Sequence, residues 1–115
     1  MSTLSAVIAV ILAGILGTAA NALAVSLLFG APLMPLILSP GRNAVAILVA
    51  ILLIPIFARM RGAGAWITAL ILLTVIPSIL AKTVFAAQAP WGTVLGLNSV
   101  YALVATIIFV AIRKG

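Results

Sequence analysis

The feature that most constrains this chain is a series of four long apolar segments joined by short connections, at residues 4–30, 43–58, 65–85 and 93–112. A helix rises about 1.5 Å per residue, so about 20 apolar residues cross the ~30 Å hydrocarbon core of a bilayer. Backbone N–H and C=O groups inside a bilayer must be paired within the protein, which favours helices. The sequence therefore predicts an all-α, polytopic integral membrane bundle of four transmembrane helices, forming one domain over residues 1–115.

The connections predict how the helices follow one another. Residues 59–64 and 86–92 are short links, so sequential helices are expected to run antiparallel, in an up-down-up-down bundle. Residues 31–42 contain three prolines among apolar residues, which predicts an apolar loop at the membrane interface or folded back onto the bundle. Pro55 and Pro77 are expected to kink the second and third helices.

The residue types that the chain lacks exclude most chemistry. It has 115 residues, of which 67% are hydrophobic, and it contains no Asp, Glu, His or Cys. Catalysis by general acids, bases or activated nucleophiles normally uses these side chains, and so do zinc, iron and calcium sites. Proton-coupled transport usually needs an intramembrane carboxylate or imidazole. We therefore expect no enzymatic activity, no metal ion and no cofactor.

The basic residues carry topology information. They lie at the ends of the apolar segments and are spread along the chain, unlike a nucleic-acid-binding face, so no nucleic-acid partner is expected. If both termini share one side, that side holds Arg59, Arg61, Arg113 and Lys114, and the opposite side holds Arg42 and Lys82. Because cytoplasmic loops are enriched in Lys and Arg, both termini are predicted to be cytoplasmic, in what we expect to be a bacterial inner membrane.

Two alternatives concern the organisation of the chain. Residues 4–16 could be the core of a signal peptide cleaved within residues 20–24, but the usual basic residues before the core are missing, so a retained helix is expected. Residues 41–48 align with residues 96–103 through shared Gly, Asn and Val, as two duplicated hairpins would. Chance similarity between apolar sequences is the simpler explanation.

Small residues on the first segment predict close helix packing. Gly14 and Thr18 are four residues apart, as are Gly17 and Asn21, so each pair shares a helix face. Small side chains let helix backbones approach and gain dispersion contacts that lipid does not supply. The face is expected to pack within the monomer, with a contact to a second copy or a partner subunit as the alternative.

The best candidate site lies on the third segment, where Thr74, Ser78 and Lys82 recur every four residues. Asn21 is expected at a similar depth, and Arg42 on the same side of the membrane. Hydroxyls, an amide and cations without a carboxylate suit an anion or an anionic lipid headgroup. Alternatively, Lys82 extends its ammonium to the interface, and the hydroxyls bond to carbonyls of their own helix.

The remaining polar and aromatic residues have simpler interpretations. Asn43 and Asn98 lie near predicted helix starts and are expected to be helix caps. Trp66, Trp91 and Tyr101 lie near predicted helix ends, where aromatic rings anchor at the level of the lipid headgroups.

Two families of small four-helix membrane proteins offer a partial resemblance. The chain is similar to small multidrug exporters in length and helix number, but it has no counterpart of the glutamate embedded in their first helix. It also resembles dual-topology fluoride channels in size, but lacks their phenylalanine-rich pore segment. Neither family is assigned.

Three functional classes remain open. The first is a non-catalytic accessory or structural subunit that packs in a larger membrane assembly, with lipids and other subunits, or further copies of itself, as partners. The second is a homo-oligomeric channel, transporter or flippase for an anion or an anionic lipid. The third is a pore-forming, lysis-type protein. The first is preferred because it needs no chemistry of its own.

Overall fold

The computed structural model describes residues 3–30, 32–83 and 90–114, with side chains described as far as residue 112. The described part of the chain is helical and contains no strand, which confirms the all-α prediction. Its helices are α1 (Thr3–Phe29), α2 (Leu33–Leu38), α3 (Pro40–Ala50), α4 (Leu53–Arg59), α5 (Gly62–Thr83) and α6 (Trp91–Lys114). Residues 84 and 85, predicted to end the third helix, lie outside the described residues.

Four segments are long and apolar enough to cross a membrane, as predicted: Thr3–Phe29, Pro40–Arg59, Gly62–Thr83 and Trp91–Ile112. The second of these spans consists of α3 and α4 together. Many large apolar side chains remain exposed on their outer faces, among them Leu12, Ile15, Ile71 and Leu103. A soluble monomer rarely exposes so much contiguous apolar surface, whereas lipid chains would cover it. The spans indicate an integral membrane protein.

The packing of the helices is uneven. Helix α1 packs extensively against α6 and α3, and α5 packs extensively against α6, whereas α3 and α5 contact each other at few places. Alanine supplies half of the buried residues in the core between them, and Phe57, Tyr101 and Phe109 are the largest side chains there. The alternating direction of the helices stays a prediction from the short connections.

Glycines on α1 permit its two closest approaches. A Cβ atom on Gly14 would lie 2.5 Å from Cγ1 and 2.8 Å from Cα of Ile47 on α3. A Cβ atom on Gly17 would lie 2.6 Å from Cδ1 of Tyr101 on α6. Heavy atoms do not approach this closely without contact repulsion, so any side chain here would push the helices apart. Both glycines therefore lie where α1 packs within the monomer.

The second span differs from the single helix predicted at residues 43–58. It begins earlier, at Pro40, and is interrupted between α3 and α4. Pro55 explains the interruption, because it has no N–H to offer the carbonyl of Ile51 and its ring crowds that carbonyl. The Ile51 carbonyl accepts instead from the N–H of Ile54, at 3.1 Å. The third span, by contrast, continues as one helix through Pro77.

The proline-rich connection is only partly a loop. The prediction is wrong for α2, a six-residue helix that contains Pro35 in its first turn. N–H groups in the first turn of a helix have no partner within it, so a proline is tolerated there. Met34 and Leu38 are exposed, as expected of a short apolar helix at a membrane interface. Ala31 lies outside the described residues.

The predicted helix caps are wrong. Ser39 is the N-cap of α3, and its side chain accepts from the backbone N–H of Arg42 at 3.4 Å. Asn43 lies inside α3, and its Nδ2 donates to the carbonyls of Ile37 and Ser39, at 2.7 and 2.9 Å. It therefore joins the end of α2 to α3. Asn98 lies inside α6, far from a capping position.

The predicted topology can be tested by cysteine labelling, because the chain has no native cysteine. Gly41 and Ala63 are exposed and lie in the first turns of α3 and α5, where the second and third spans begin. With cytoplasmic termini, Gly41→Cys should react with an impermeant maleimide on intact cells, and Ala63→Cys only after permeabilisation. The reverse labelling pattern would show that the protein has the opposite orientation in the membrane. Labelling of both cysteines from outside would contradict the antiparallel arrangement.

Candidate functional site

A chain of hydrogen bonds links all four spans near one end of the bundle. Arg42 on α3 donates from Nη2 to Oδ1 of Asn21 on α1. Nδ2 of Asn21 donates to the carbonyl of Leu97 on α6, at 2.7 Å, with Oδ1 of Asn98 3.5 Å away. Nδ2 of Asn98 then donates to Oγ of Ser78 on α5, at 2.9 Å.

The chain of hydrogen bonds ends on α5. The hydroxyl of Ser78 is fully buried and donates to the backbone carbonyl of Thr74 at 2.6 Å. Thr74 thus contributes its carbonyl group to the network. Each amide has its donor and acceptor sides fixed by its neighbours, because Arg42 can only donate and the Leu97 carbonyl can only accept. The network therefore holds the side chain of Asn21 with its oxygen towards the guanidinium.

The network lies below the surface of the bundle. Asn21, Ser78 and Asn98 are each roughly 8–12 Å along their helices from the nearest end, at about 1.5 Å per residue. Polar side chains at such depth are satisfied by one another, because lipid offers no hydrogen-bonding partner. Arg42 is closer to the surface, in the first turn of α3.

A cavity of about 310 Å³ adjoins the network and has walls from all four spans. Its inner wall is buried, since Thr18 and Tyr101 are 3% exposed and Asn21 is 7% exposed. Val45 on α3 together with Pro77 and Ala81 on α5 form a half-exposed apolar rim. Ser39 and Arg42 are also half-exposed at the cavity, and Gly41 is exposed. The cavity wall therefore combines polar and aliphatic groups.

The guanidinium of Arg42 is the dominant charge of this cavity. The side chain is half-buried, and its partner among the described residues is the neutral amide of Asn21. Its Nε is buried and has no hydrogen-bond partner in the described part of the chain. No acidic side chain exists anywhere in the sequence. The chain therefore has no side chain that could neutralise this cation.

Two further side chains shape the inner wall. The hydroxyl of Thr18 is buried and has no hydrogen-bond partner among the described residues, although it lies on the cavity. The Tyr101 hydroxyl donates to the carbonyl of Ala46 on α3, and its ring packs at Gly17. The interpretation of Tyr101 as an interfacial anchor is wrong, since the ring is buried between α1, α3 and α6.

No protein-family model, curated protein or solved structure matches this chain. Its function therefore has to be inferred from the chemistry of the cavity. That chemistry is a cation, two amides and hydroxyl groups in a partly apolar enclosure.

The structure places Lys82 apart from this cavity. Its Nζ lies 5.7 Å from the centroid of the Trp91 ring, at the end of α5 and the start of α6. Trp91 is 49% exposed, as expected of an aromatic residue at a membrane interface. Of the residues predicted to form one site, Arg42, Asn21 and Ser78 are brought together, Thr74 contributes a carbonyl, and Lys82 contacts Trp91 instead.

Asn98 is the central residue that the sequence interpretation missed. It bridges Asn21 and Ser78, which have no direct hydrogen bond. A signal was present, since an amide well inside an apolar segment is unfavourable unless another helix pairs with it.

Proposed function

We propose that this chain is a small integral membrane protein that binds an anion in the cavity beside Arg42, either as a free ion or as the headgroup of an anionic lipid. The observation that carries the proposal is the half-buried guanidinium whose described side-chain partner is a neutral amide. The proposed role is binding, without catalysis and without a cofactor.

The energetics favour an external anion. An unpaired arginine at the centre of a bilayer costs about 2.5–3.5 kcal/mol on insertion scales, and less near the interface, where Arg42 lies. A neutral amide leaves the charge of the guanidinium in place, whereas a phosphate-like anion would neutralise it through paired hydrogen bonds. The protein around the half-buried guanidinium lowers the local dielectric constant and so strengthens this attraction.

Two hydrogen-bond donors without partners among the described residues support the same proposal. The Nε of Arg42 and the hydroxyl of Thr18 are both buried and without partners among the described residues. Such groups destabilise a protein unless a ligand or water satisfies them. Both residues line the cavity, so rotation of their side chains would turn these buried donors towards an anion with several oxygens.

The accessory-subunit role stays a second proposal, since membrane lipids and further subunits could both cover the exposed apolar faces. Blue-native electrophoresis after mild extraction would test it, because a subunit migrates with its assembly. The transporter, flippase and pore-forming roles remain predictions. An anion site is compatible with each of them.

Anion binding can be measured as stabilisation of the purified chain by inorganic phosphate, since a ligand that binds only the folded state raises its stability. Arg42→Gln should reduce the affinity by about ten-fold or more, because it removes the charge and the paired donors. Arg61→Gln is the matched control, since Arg61 is exposed and its loss changes the net charge equally.

Lys82→Gln distinguishes this cavity from the site predicted on α5 alone. With the ligand at Arg42, Lys82→Gln should reduce the phosphate affinity less than Arg42→Gln does, because Lys82 contacts Trp91 and is not among the residues that line the cavity. A larger loss of phosphate affinity for Lys82→Gln than for Arg42→Gln would show that the anion binds at the end of α5 near Trp91. Equal affinities of Arg42→Gln and the parent chain would refute the proposal.

A further inference from the structure

We propose that the natural ligand is an anionic phospholipid that enters the cavity sideways from the bilayer, between α3 and α5. This inference rests on the proposed anion-binding function and names its ligand class. The phosphate of the lipid would contact Arg42, and the part of the lipid next to the headgroup would contact the apolar rim.

The packing of the helices identifies the entrance. Helix α1 packs closely against α3 and α6, and α6 against α5, so these three boundaries are closed. Contacts between α3 and α5 are few by comparison. Among the cavity residues on these two helices, Val45, Pro77 and Ala81 are half-exposed and Gly41, at the start of α3, is exposed. Thr18 and Tyr101 behind them are buried. The cavity therefore opens between α3 and α5.

The chemistry of the walls fits an amphiphile better than an inorganic ion. The cavity is lined by hydrogen-bonding side chains, at Arg42, Asn21 and Asn98, together with the half-exposed aliphatic groups of the rim. An inorganic anion has no apolar surface with which to cover Val45 or Ala81. A phospholipid has an anionic phosphate joined to glycerol and acyl chains. It could therefore contact the polar side chains and the aliphatic rim at the same time.

The size of the cavity agrees with this assignment. Its volume of about 310 Å³ is at the lower end of the roughly 300–1,000 Å³ of small-molecule sites. That volume suits a glycerophosphate headgroup, with the acyl chains remaining in the bilayer. A bare tetrahedral ion would leave much of the cavity unfilled.

The position of Arg42 along the bundle also fits. It lies in the first turn of α3, at the same end of the bundle as the contact between Lys82 and Trp91. Exposed tryptophan and lysine side chains at helix ends mark the level of the lipid headgroups. A lipid could therefore place its phosphate on Arg42 without moving far from its normal depth.

The test compares phosphatidylglycerol, phosphatidylcholine and inorganic phosphate as probes, with native mass spectrometry of the full detergent-solubilised chain. Ala81→Leu and Val45→Phe narrow the entrance from its two sides, and Ala44→Leu on the exposed face of α3 is the control. Two entrance variants are used so that the effect on lipid binding can still be measured if one of them folds poorly.

The parent chain should bind phosphatidylglycerol about ten-fold more tightly than phosphatidylcholine, because only the former is anionic. Both entrance variants should weaken phosphatidylglycerol binding by about ten-fold and phosphate binding by clearly less, since a small ion needs less room. The control should bind both probes as the parent does.

The lipid inference is overturned if phosphatidylcholine binds as tightly as phosphatidylglycerol, or if the entrance variants leave lipid affinity unchanged. Equal loss of lipid and phosphate would also overturn it, because the two probes would then share one route. In each case phosphate binding that depends on Arg42 would leave the proposed function standing. If neither anionic probe binds, the proposed function fails as well.

Discussion

Replacing Asn21 by leucine is expected to lower the free energy of unfolding by about 2–3 kcal/mol, and adding Arg42→Met to that chain should restore most of it. The single substitution removes the hydrogen bonds from Asn21 to Arg42 and to the Leu97 carbonyl. It leaves the guanidinium half-buried and without its amide partner. Arg42→Met removes this guanidinium, so the double variant no longer has a charge without a partner.

The double substitution distinguishes two explanations for the loss of stability in Asn21→Leu: the loss of hydrogen bonds, and the charge left without a partner. Interhelical hydrogen bonds in membrane proteins contribute on average only about 0.6 kcal/mol each, so loss of the bonds alone predicts a small effect with no recovery in the double variant. An unpaired charge predicts a larger effect that Arg42→Met reverses. Reversible unfolding in mixed micelles measures both. Additive losses would contradict the view that Arg42 is the destabilising group.

Asn21→Asp provides a complementary control. The substitution keeps the shape of the side chain and places a carboxylate against the guanidinium, where it would take the role assigned to the external anion. The carboxylate cannot donate to the Leu97 carbonyl as the amide does, but its ion pair with Arg42 should offset that loss. We therefore expect a smaller loss of stability at neutral pH than in Asn21→Leu, and we expect the stabilisation by added phosphate to disappear. Persistent stabilisation by phosphate in this variant would show that the anion binds elsewhere.

The sequence alone predicts the four spans because length and hydrophobicity decide which segments can cross a bilayer. It does not predict which side chains meet, since this depends on the rotation of each helix about its axis. Lys82 illustrates the difference. Its spacing from Ser78 correctly places both on α5, but the Lys82 ammonium contacts Trp91 while Ser78 meets Asn98.

The errors at Asn43 and Asn98 have one physical origin. Asparagine is favoured at helix starts, so an asparagine near a predicted start is interpreted as a cap. Both helices begin earlier than the apolar segments suggest, at Pro40 and Trp91, because prolines and interfacial residues can occupy a first turn. The shift of three residues changes Asn43 from a cap into an internal side chain. Asn98 lies well inside even the predicted segment, where residue type alone does not make an asparagine a cap.

Replacing Gly14 by leucine should have the largest effect on the fold, with a loss of stability of about 3 kcal/mol or more. A side chain on Gly14 would meet the backbone of Ile47, whose Cα and N atoms would both lie 2.8 Å from the new Cβ. A flexible side chain can rotate away from such a contact, but the backbone of α3 can only move as a whole. Helix α3 would then separate from α1, and the hydrogen bond between Arg42 and Asn21 would lengthen.

Gly96→Leu is the matched control, because Gly96 is exposed on α6 and a Cβ atom there would meet no described atom within 4 Å. It should unfold at the temperature of the parent chain or slightly above it, since glycine is a weak helix former. Gly14→Leu should melt at a lower temperature and lose phosphate-dependent stabilisation, because Arg42 moves with α3. If both variants melt like the parent, α1 and α3 do not pack at Gly14, and the cavity that depends on their contact would not form as described.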